Sequence, residues 1–327
     1  MLSSPSTVLW TGATGFFGRS LLRHLQTHGP GPTQWHFLSR DPEAFARRWP
    51  ELACLPQTTW HRGDMSTLSA EDLPPLTHVV HAAADSTHAG HLTALQRFDQ
   101  NAAGTRHLLE LAISLGATRF LLTSSGGAYG QIPAGRSMVA EDDHWIPDPL
   151  DTASAYGIGK RTAEHLCALY AAEYPIEIVI ARCFAFVGPD LPLDVHFAIG
   201  NFIRDALTAE EITVSGDGTP LRTYLDQADL AHWLLTLLDQ GRPGEAYNVG
   251  SDEVISIADL AYLVRDILAP EKPVRILGQA ASGAPRNLYV PDIRKARLEM
   301  GLKVSISLAD AIKHTAAANR KSTSLMS

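Results

Sequence analysis

Three cysteines in 327 residues, Cys54, Cys167 and Cys183, are too few and too scattered for a disulfide framework or a metal cluster. They suit buried thiols in a reducing cytosol. No run of about 18 apolar residues occurs, so no membrane-spanning helix is expected. The opening MLSSPSTVLW lacks a basic region followed by an apolar core, which predicts a soluble, unexported, cytoplasmic protein. Long basic runs are missing too. The 35 acidic and 27 basic residues leave a net charge of −8, which argues against nucleic acid and membrane surfaces as partners. Histidine is plentiful at 14 residues, but no H-E-x-x-H or paired Cys/His spacing occurs, and we assign no metal site.

What is present is an alternation. From Thr7 to Arg182, short apolar runs (TVLWT, WHFLS, TTWHRGD, HVVHAAA, RFLLTSS, IEIVIAR) alternate with amphipathic stretches such as RSLLRHLQTHG and EAFARRW. Such an order predicts right-handed βαβ units, hence an α/β, Rossmann-like, doubly wound parallel sheet covered on both faces. After residue 190 the elements become shorter and richer in turns. The expectation is a dinucleotide-binding domain over 1–182, with return segments near 221–250, and a smaller α/β substrate lobe over 183–327.

The first strand runs into TGATGFFGRSLL, where Gly12, Gly15 and Gly18 fall at a strand-to-helix turn. Glycines there let backbone N–H groups meet a pyrophosphate at a helix N-terminus, so a dinucleotide site is expected. The second strand ends FLSR. Ser39 and Arg40 suit a 2′-phosphate, which favours NADP, with NAD as the alternative. Asp41 either serves the ribose or caps the helix that begins at Pro42.

Further along, AYGIGK sets Tyr156 and Lys160 four residues apart on one helix face, with Gly157 and Gly159 between them. Two poor helix formers imply a close approach at those positions. A lysine beside a phenol is expected to lower the tyrosine pKa toward working pH.

Taken together, these residues resemble the extended short-chain dehydrogenase/reductase family, the epimerases, dehydratases and reductases of nucleotide sugars. The resemblance runs through TGATGFFG at 11–18, GDM at 63–65, HAAA at 81–84, Asn101, TSSGGAYG at 123–130, Tyr156 and Lys160, ARCFAFVGP at 181–189, GDGTPLRTYLDQADLA at 216–231 and AYNVGS at 246–251. It implies catalysis by Tyr156, Lys160 and Ser125. It also implies a cofactor held by Gly12, Thr14, Gly15, Phe16, Phe17, Gly18, Ser39, Arg40, Asp64, Met65, Ala82, Ala83, Ala84, Asn101, Thr123 and Ser124, besides Tyr156 and Lys160.

Where sugar dehydratases of the family carry Thr-Asp-Glu, this chain has Ser125-Gly126-Gly127, which disfavours dehydration. Where many relatives have asparagine, it has Ala185. The stretch FVGPDLPLDVHFAIGNFI most resembles 4-ketoreductases of the CDP-abequose synthase type, from surface-polysaccharide (O-antigen-like) synthesis. The substrate is then expected to meet Ser125, Gly126, a diphosphate clamp of Arg222 and Arg286, and His196 and Asn201, which either face the sugar nucleotide or pack. The expected reaction is NADPH-dependent reduction of a 4-keto-6-deoxy nucleotide sugar, the alternative an NAD-dependent 4-epimerase. Relatives dimerise through the two helices bearing Leu92, Leu95, Leu108, Leu166 and Leu169, so a homodimer is expected.

Overall fold

The computed structural model describes residues 2–83, 92–133, 135–195, 197–279 and 287–324, with side chains described to residue 320. Seven strands form the main sheet: β1 (Ser6–Trp10), β2 (Thr33–Ser39), β3 (Thr58–Arg62), β4 (His78–His81), β5 (Arg119–Ser125), β6 (Glu177–Cys183) and β7 (Ala246–Val249). Their order is β7-β6-β5-β4-β1-β2-β3 and every pairing is parallel. Central strands such as β5 and β6 read as nearly continuous apolar runs because both of their faces are covered.

The intervening helices are α1 (Phe16–His28), α2 (Pro42–Arg48), α3 (Ala94–Ser114) and α4 (Ala155–Glu173), followed by α5 (Ala198–Thr208), α6 (Gln227–Gln240) and α7 (Ile257–Leu268). On one side of the sheet, Leu21, Leu22 and Leu25 of α1 and Trp233 of α6 pack on Trp10, Trp35 and Phe37. On the other, Leu108 of α3 and Leu166 of α4 pack on Phe120 and Leu122. A further core joins α5, α7 and the helix Leu308–Ser324 through Ile199, Phe202, Leu260, Val264 and Ile312. Beside it the short strand Leu221–Arg222 is flanked by Ile255–Ser256 and by Leu288–Tyr289, in a register that sets Tyr289 opposite Arg222.

The leucines expected on an outer helical face divide. Leu108 and Leu166 belong to the core beneath the sheet, whereas Leu95 and Leu169 are exposed. Leu92, expected on the same helix, instead precedes it, because Thr93 caps α3 and the helix begins at Ala94.

The two glycines of α4 also find their reason. A Cβ on Gly157 would lie 2.5 Å from the carbonyl oxygen of Gly127, and one on Gly159 would lie 3.1 Å from Cβ of Asn101. The close partners are therefore the protein's own loop after β5 and its neighbouring helix α3.

One buried ion pair ties these pieces together. Arg182 of β6 forks onto Glu164 of α4, with Nε to Oε1 at 3.0 Å and Nη2 to Oε2 at 2.9 Å. Its remaining nitrogen donates to the Tyr129 hydroxyl at 2.8 Å, and that hydroxyl donates to Asn248 of β7 at 2.8 Å. Ser124, at the end of β5, donates to Glu164 at 2.5 Å. Removing one partner of a buried pair leaves the other charge uncompensated, at a cost of about 3–5 kcal/mol. Glu164→Ala should therefore lower unfolding stability by that order in urea titrations, and a loss below ~1 kcal/mol, the value of an exposed pair, would refute this weight.

Candidate active site

At the end of β1 the backbone of Thr11 donates to Val80, and its hydroxyl accepts from the N–H groups of Ala82 and Ala83 at 3.1 Å each. Gly12 follows with φ of +70°, and a Cβ there would stand 2.7 Å from the Ala82 carbonyl oxygen. Only glycine fits. Gly18 lies so close to the Ala13 carbonyl that a side chain is likewise excluded. Between them α1 starts after Gly15, with no side-chain cap and no acid in its first turn.

The free N–H groups of that turn and the positive end of the helix form a cradle for an anion. This donor set fits a dinucleotide pyrophosphate, and Thr14 and Gly15 are accessible at its mouth. The rings of Phe16 and Phe17 instead pack toward Phe186, at 6.3 and 5.3 Å between centroids, so these two residues offer only their backbone.

At the far end of the cradle, Ser39 is buried and its hydroxyl accepts from the Asp41 N–H at 3.2 Å. Asp41 caps α2 by accepting from Ala44 at 3.0 Å. Arg40 is exposed. Asp64 accepts from the Ser66 N–H and hydroxyl, while Met65 is buried against Gly104. Ala84, His196 and Arg286 lie outside the described residues.

Tyr156 and Lys160 meet the end of β5. Lys160 donates to the Thr123 carbonyl at 2.8 Å, and its ammonium stands 5.9 Å from the centroid of the Tyr156 ring. Thr123 is itself fixed by donating to His81, and Asn101 is buried nearby with its amide donating to Arg97. Burial lowers Lys160 to about 8. Burial pushes Tyr156 up to about 12, opposed by the Ser125 hydroxyl. The expectation of a tyrosine drawn down by its lysine is thus corrected. The ammonium is anchored on a carbonyl beside the ring, and desolvation outweighs it. Tyr156 is accordingly a protonated phenol across the physiological range.

Ser125 and Ser124 part company. Ser124 turns away toward Glu164, so it belongs to the ion-pair network rather than to the cofactor side. The Ser125 hydroxyl accepts from the Gly127 N–H at 3.0 Å and lies 3.3 Å from the hydroxyl of Tyr289. A Cβ on Gly127 would touch both Ser125 Oγ and the Tyr156 ring, at 3.4 and 3.6 Å. A Cβ on Gly126 would collide with the rings of Phe184 and Tyr289, at 2.8 and 2.9 Å. Gly126 therefore backs the site instead of facing a ligand.

Tyr289 went unnoticed in the sequence. It lies 164 residues from Ser125, and nothing in NLYVPD marks chemistry beyond its position three residues after Arg286. Beside it, Arg222 donates to the carbonyls of Leu221 and Asn287, and its guanidinium stands 5.9 Å from the Tyr289 centroid. Burial lowers its pKa, and no carboxylate pairs with it among the described residues. An unpaired, half-buried guanidinium is suited to a phosphate. Asn201 instead accepts from Arg204 within α5 at 3.1 Å.

The model of the NAD dependent epimerase/dehydratase family matches residues 8–250. UDP-glucuronic acid decarboxylase 1 of Danio rerio is 30% identical over 216 residues, which are 66% of this chain and 50% of that protein. UDP-glucuronic acid decarboxylase 6 of Arabidopsis thaliana is 32% identical over 213 residues, 65% of this chain and 60% of that protein. The match thus spans about half the length of the first of these curated relatives. Among solved structures, UDP-glucose 4-epimerase of Thermotoga maritima, with UDP-glucose, has a TM-score of 0.81 at 23% identity and covers 97% of this chain and 99% of its own. UDP-glucuronic acid 4-epimerase of Bacillus cereus, with UDP-glucuronic acid and NAD, has a TM-score of 0.81 at 24% identity and covers 96% and 99%. Both show a common fold.

The buried lysine makes its own prediction. Its pKa in the folded chain, about 8, lies below its ordinary value of 10.5, so the unfolded chain binds more protons between those limits. The penalty of burying the charge is then full below pH 8 and fades as pH rises through that window. Lys160→Met should melt higher than the parent below pH 8 when no cofactor is added, by an amount on the order of 3 kcal/mol. The advantage should vanish near pH 10.5. Melting curves taken across that range check it, and a difference that stays constant with pH would contradict the assignment.

Proposed function

The chain belongs to the NAD-dependent epimerase/dehydratase family, and from that premise we propose that it is a nucleotide-sugar oxidoreductase acting at C4. The reading is reduction of a 4-keto-6-deoxy nucleotide sugar with NADPH, as in enzymes of the CDP-abequose synthase type that serve surface-polysaccharide synthesis in the cytoplasm. The observation that carries it is the meeting of Ser125, Tyr156 and Lys160 beside two glycines. This is an acid, its partner and a hydrogen-bond donor, without the carboxylic pair that elimination of water requires.

The nicotinamide, when bound, supplies the hydride. The remaining steps belong to the chain. The α1 N-terminus and Gly12 hold the pyrophosphate, and Ser39 and Arg40 hold the 2′-phosphate of NADP, since Asp41 is committed to capping α2. Lys160 and Asn101 bound the ribose end. Tyr156, protonated, gives its proton to the C4 oxygen as charge develops there, and Ser125 hydrogen-bonds the same oxygen. Arg222 takes a diphosphate oxygen of the substrate, with Arg286 as its expected partner. The first lobe, residues 1–182 with return segments near 221–250, then carries the cofactor, and the second, joined by the Arg222 strand that pairs with its strands at 255–256 and 288–289, the sugar nucleotide.

A second reading has its own support. The Bacillus cereus neighbour is an epimerase with NAD, and the same three residues serve a 4-epimerase that oxidises C4 and returns the hydride to the other face. Extraction of the purified protein separates the two: stoichiometric, tightly held NAD favours the epimerase.

Three outcomes are expected. NADPH absorbance should fall when the protein meets at least one member of a panel of UDP-, dTDP-, CDP- and GDP-linked 4-keto sugars, and Tyr156→Phe should slow that turnover about 10²–10⁴-fold. Retention of more than about a tenth of the rate, where chemistry is limiting, would sink the mechanism. Arg40→Ala should weaken NADPH roughly ten- to hundredfold and NADH little, because a charge-assisted hydrogen bond is worth about 1.5–3 kcal/mol. Equal losses would reassign the cofactor to NAD. Finally, the exposed Leu95 and Leu169 of α3 and α4 suit pairing of two copies as a homodimer, which sedimentation at micromolar concentration should show as a species twice the 35.4 kDa of the chain.

A further inference from the structure

We propose that Tyr289 is a positioning residue for this chemistry: its hydroxyl directs the single proton of Ser125 toward the reacting oxygen. The inference rests on the reading that Ser125 hydrogen-bonds that oxygen.

A serine hydroxyl has one proton to give and two acceptor positions. One acceptor position of Ser125 is already taken by the Gly127 N–H at 3.0 Å. Tyr289 stands 3.3 Å from the same oxygen on another side, and 3.4 Å from the carbonyl oxygen of Cys183. Its proton therefore has two destinations. When Tyr289 donates to Ser125, both acceptor positions of the serine are full, and the serine proton turns into the site, to the Tyr156 hydroxyl when no ligand is bound and to the reacting oxygen when one is. When Tyr289 donates to Cys183, it accepts the serine proton itself, and Ser125 withdraws from the site as a donor.

The two states match the two forms of the C4 oxygen. A ketone oxygen only accepts, so it stabilises the first state. The alcohol formed by reduction can also donate, and either state accommodates it. Tyr289 thus lets Ser125 follow the change from carbonyl to hydroxyl without leaving an unmet hydrogen bond.

The ring is held firmly enough for this task. It packs on Phe184 with centroids 4.7 Å apart, closes over Gly126, and has the Arg222 guanidinium 5.9 Å from its centroid. Burial pushes its pKa upward, so its proton is present throughout the working range. Because Tyr289 pairs in register with Arg222, the strand that carries the proposed diphosphate clamp adjoins the one that sets the serine proton.

Four proteins test the proposal: the parent, Tyr289→Phe, Ser125→Ala and the double variant. Phenylalanine keeps the ring packing and removes only the hydroxyl. Turnover of the reactive panel sugar by Tyr289→Phe should fall about three- to tenfold in kcat, the range of a neutral hydrogen bond, with KM within about twofold. In the Ser125→Ala background the same change should have no further effect on kcat, because the group through which it acts is gone. Independent, multiplying losses, or a loss confined to KM, would overturn the positioning role.

Melting temperatures of the same four proteins without any ligand form a second cycle. Tyr289→Phe should lower the melting temperature less with Ala at 125 than with Ser, and additive shifts would overturn the hydrogen bond itself. If the parent turns over no nucleotide sugar, the functional reading fails, while the melting cycle still decides the Ser125–Tyr289 link.

Discussion

Residues four apart on a helix share a face, and α4 uses one face three times, for Tyr156, Lys160 and Glu164. The last of these is the constraint on which the others depend. Glu164 is buried, and a buried carboxylate is tolerable only when paired and hydrogen-bonded. Its two oxygens are met by Arg182 and Ser124, which stand at the C-terminal ends of β6 and β5. The helix can satisfy its acid only in one register against the sheet. That register brings Lys160 to the Thr123 carbonyl and Tyr156 to Ser125, so a structural ion pair sets the geometry of the chemical pair two turns away.

Burial then distributes the protons. The same low-polarity surroundings raise Tyr156 and lower Lys160, in both cases by disfavouring the charged form. A neutral acid and a buried ammonium that loses its proton more readily than an exposed one are thereby stored side by side. Charge enters from the ends: the positive turn of α1 at one side, Arg222 at the other. Among the described residues each is a donor set without an internal acid to satisfy it, which leaves both directed at anions.

Much of this was legible in the sequence because it is local. The glycine spacing at 12, 15 and 18 reports a turn that only backbone can form, and the strand and helix alternation reports a sheet buried on both faces. The four-residue step from Tyr156 to Lys160 carries its own geometry. What the sequence hid depends on residues far apart. Gly157 and Gly159 announced a close approach but not its partner, which is the protein's own backbone at Gly127 and its helix α3. Leu108 and Leu166 show helical spacing, yet only the packed sheet decides that they point inward. Ser124 and Ser125 are adjacent and chemically alike. Alternation along a strand sends one to Glu164 and the other to the site, and no local signal says which. Tyr289 arrives from a short strand outside the main sheet.

Gly126 has one more consequence, for how the family's chemistries are related by descent. It lies beneath the rings of Phe184 and Tyr289 with no space for a Cβ, whereas a Cβ on Gly127 would meet Ser125 and Tyr156 only at ordinary van der Waals contact. An acidic side chain at 127 is one substitution away; an adjoining one at 126 is not. A lineage moving between this arrangement and one bearing two adjoining acids has to shift an aromatic residue first, in a segment far along the chain. The order of mutations is constrained by packing before selection for any new reaction can act.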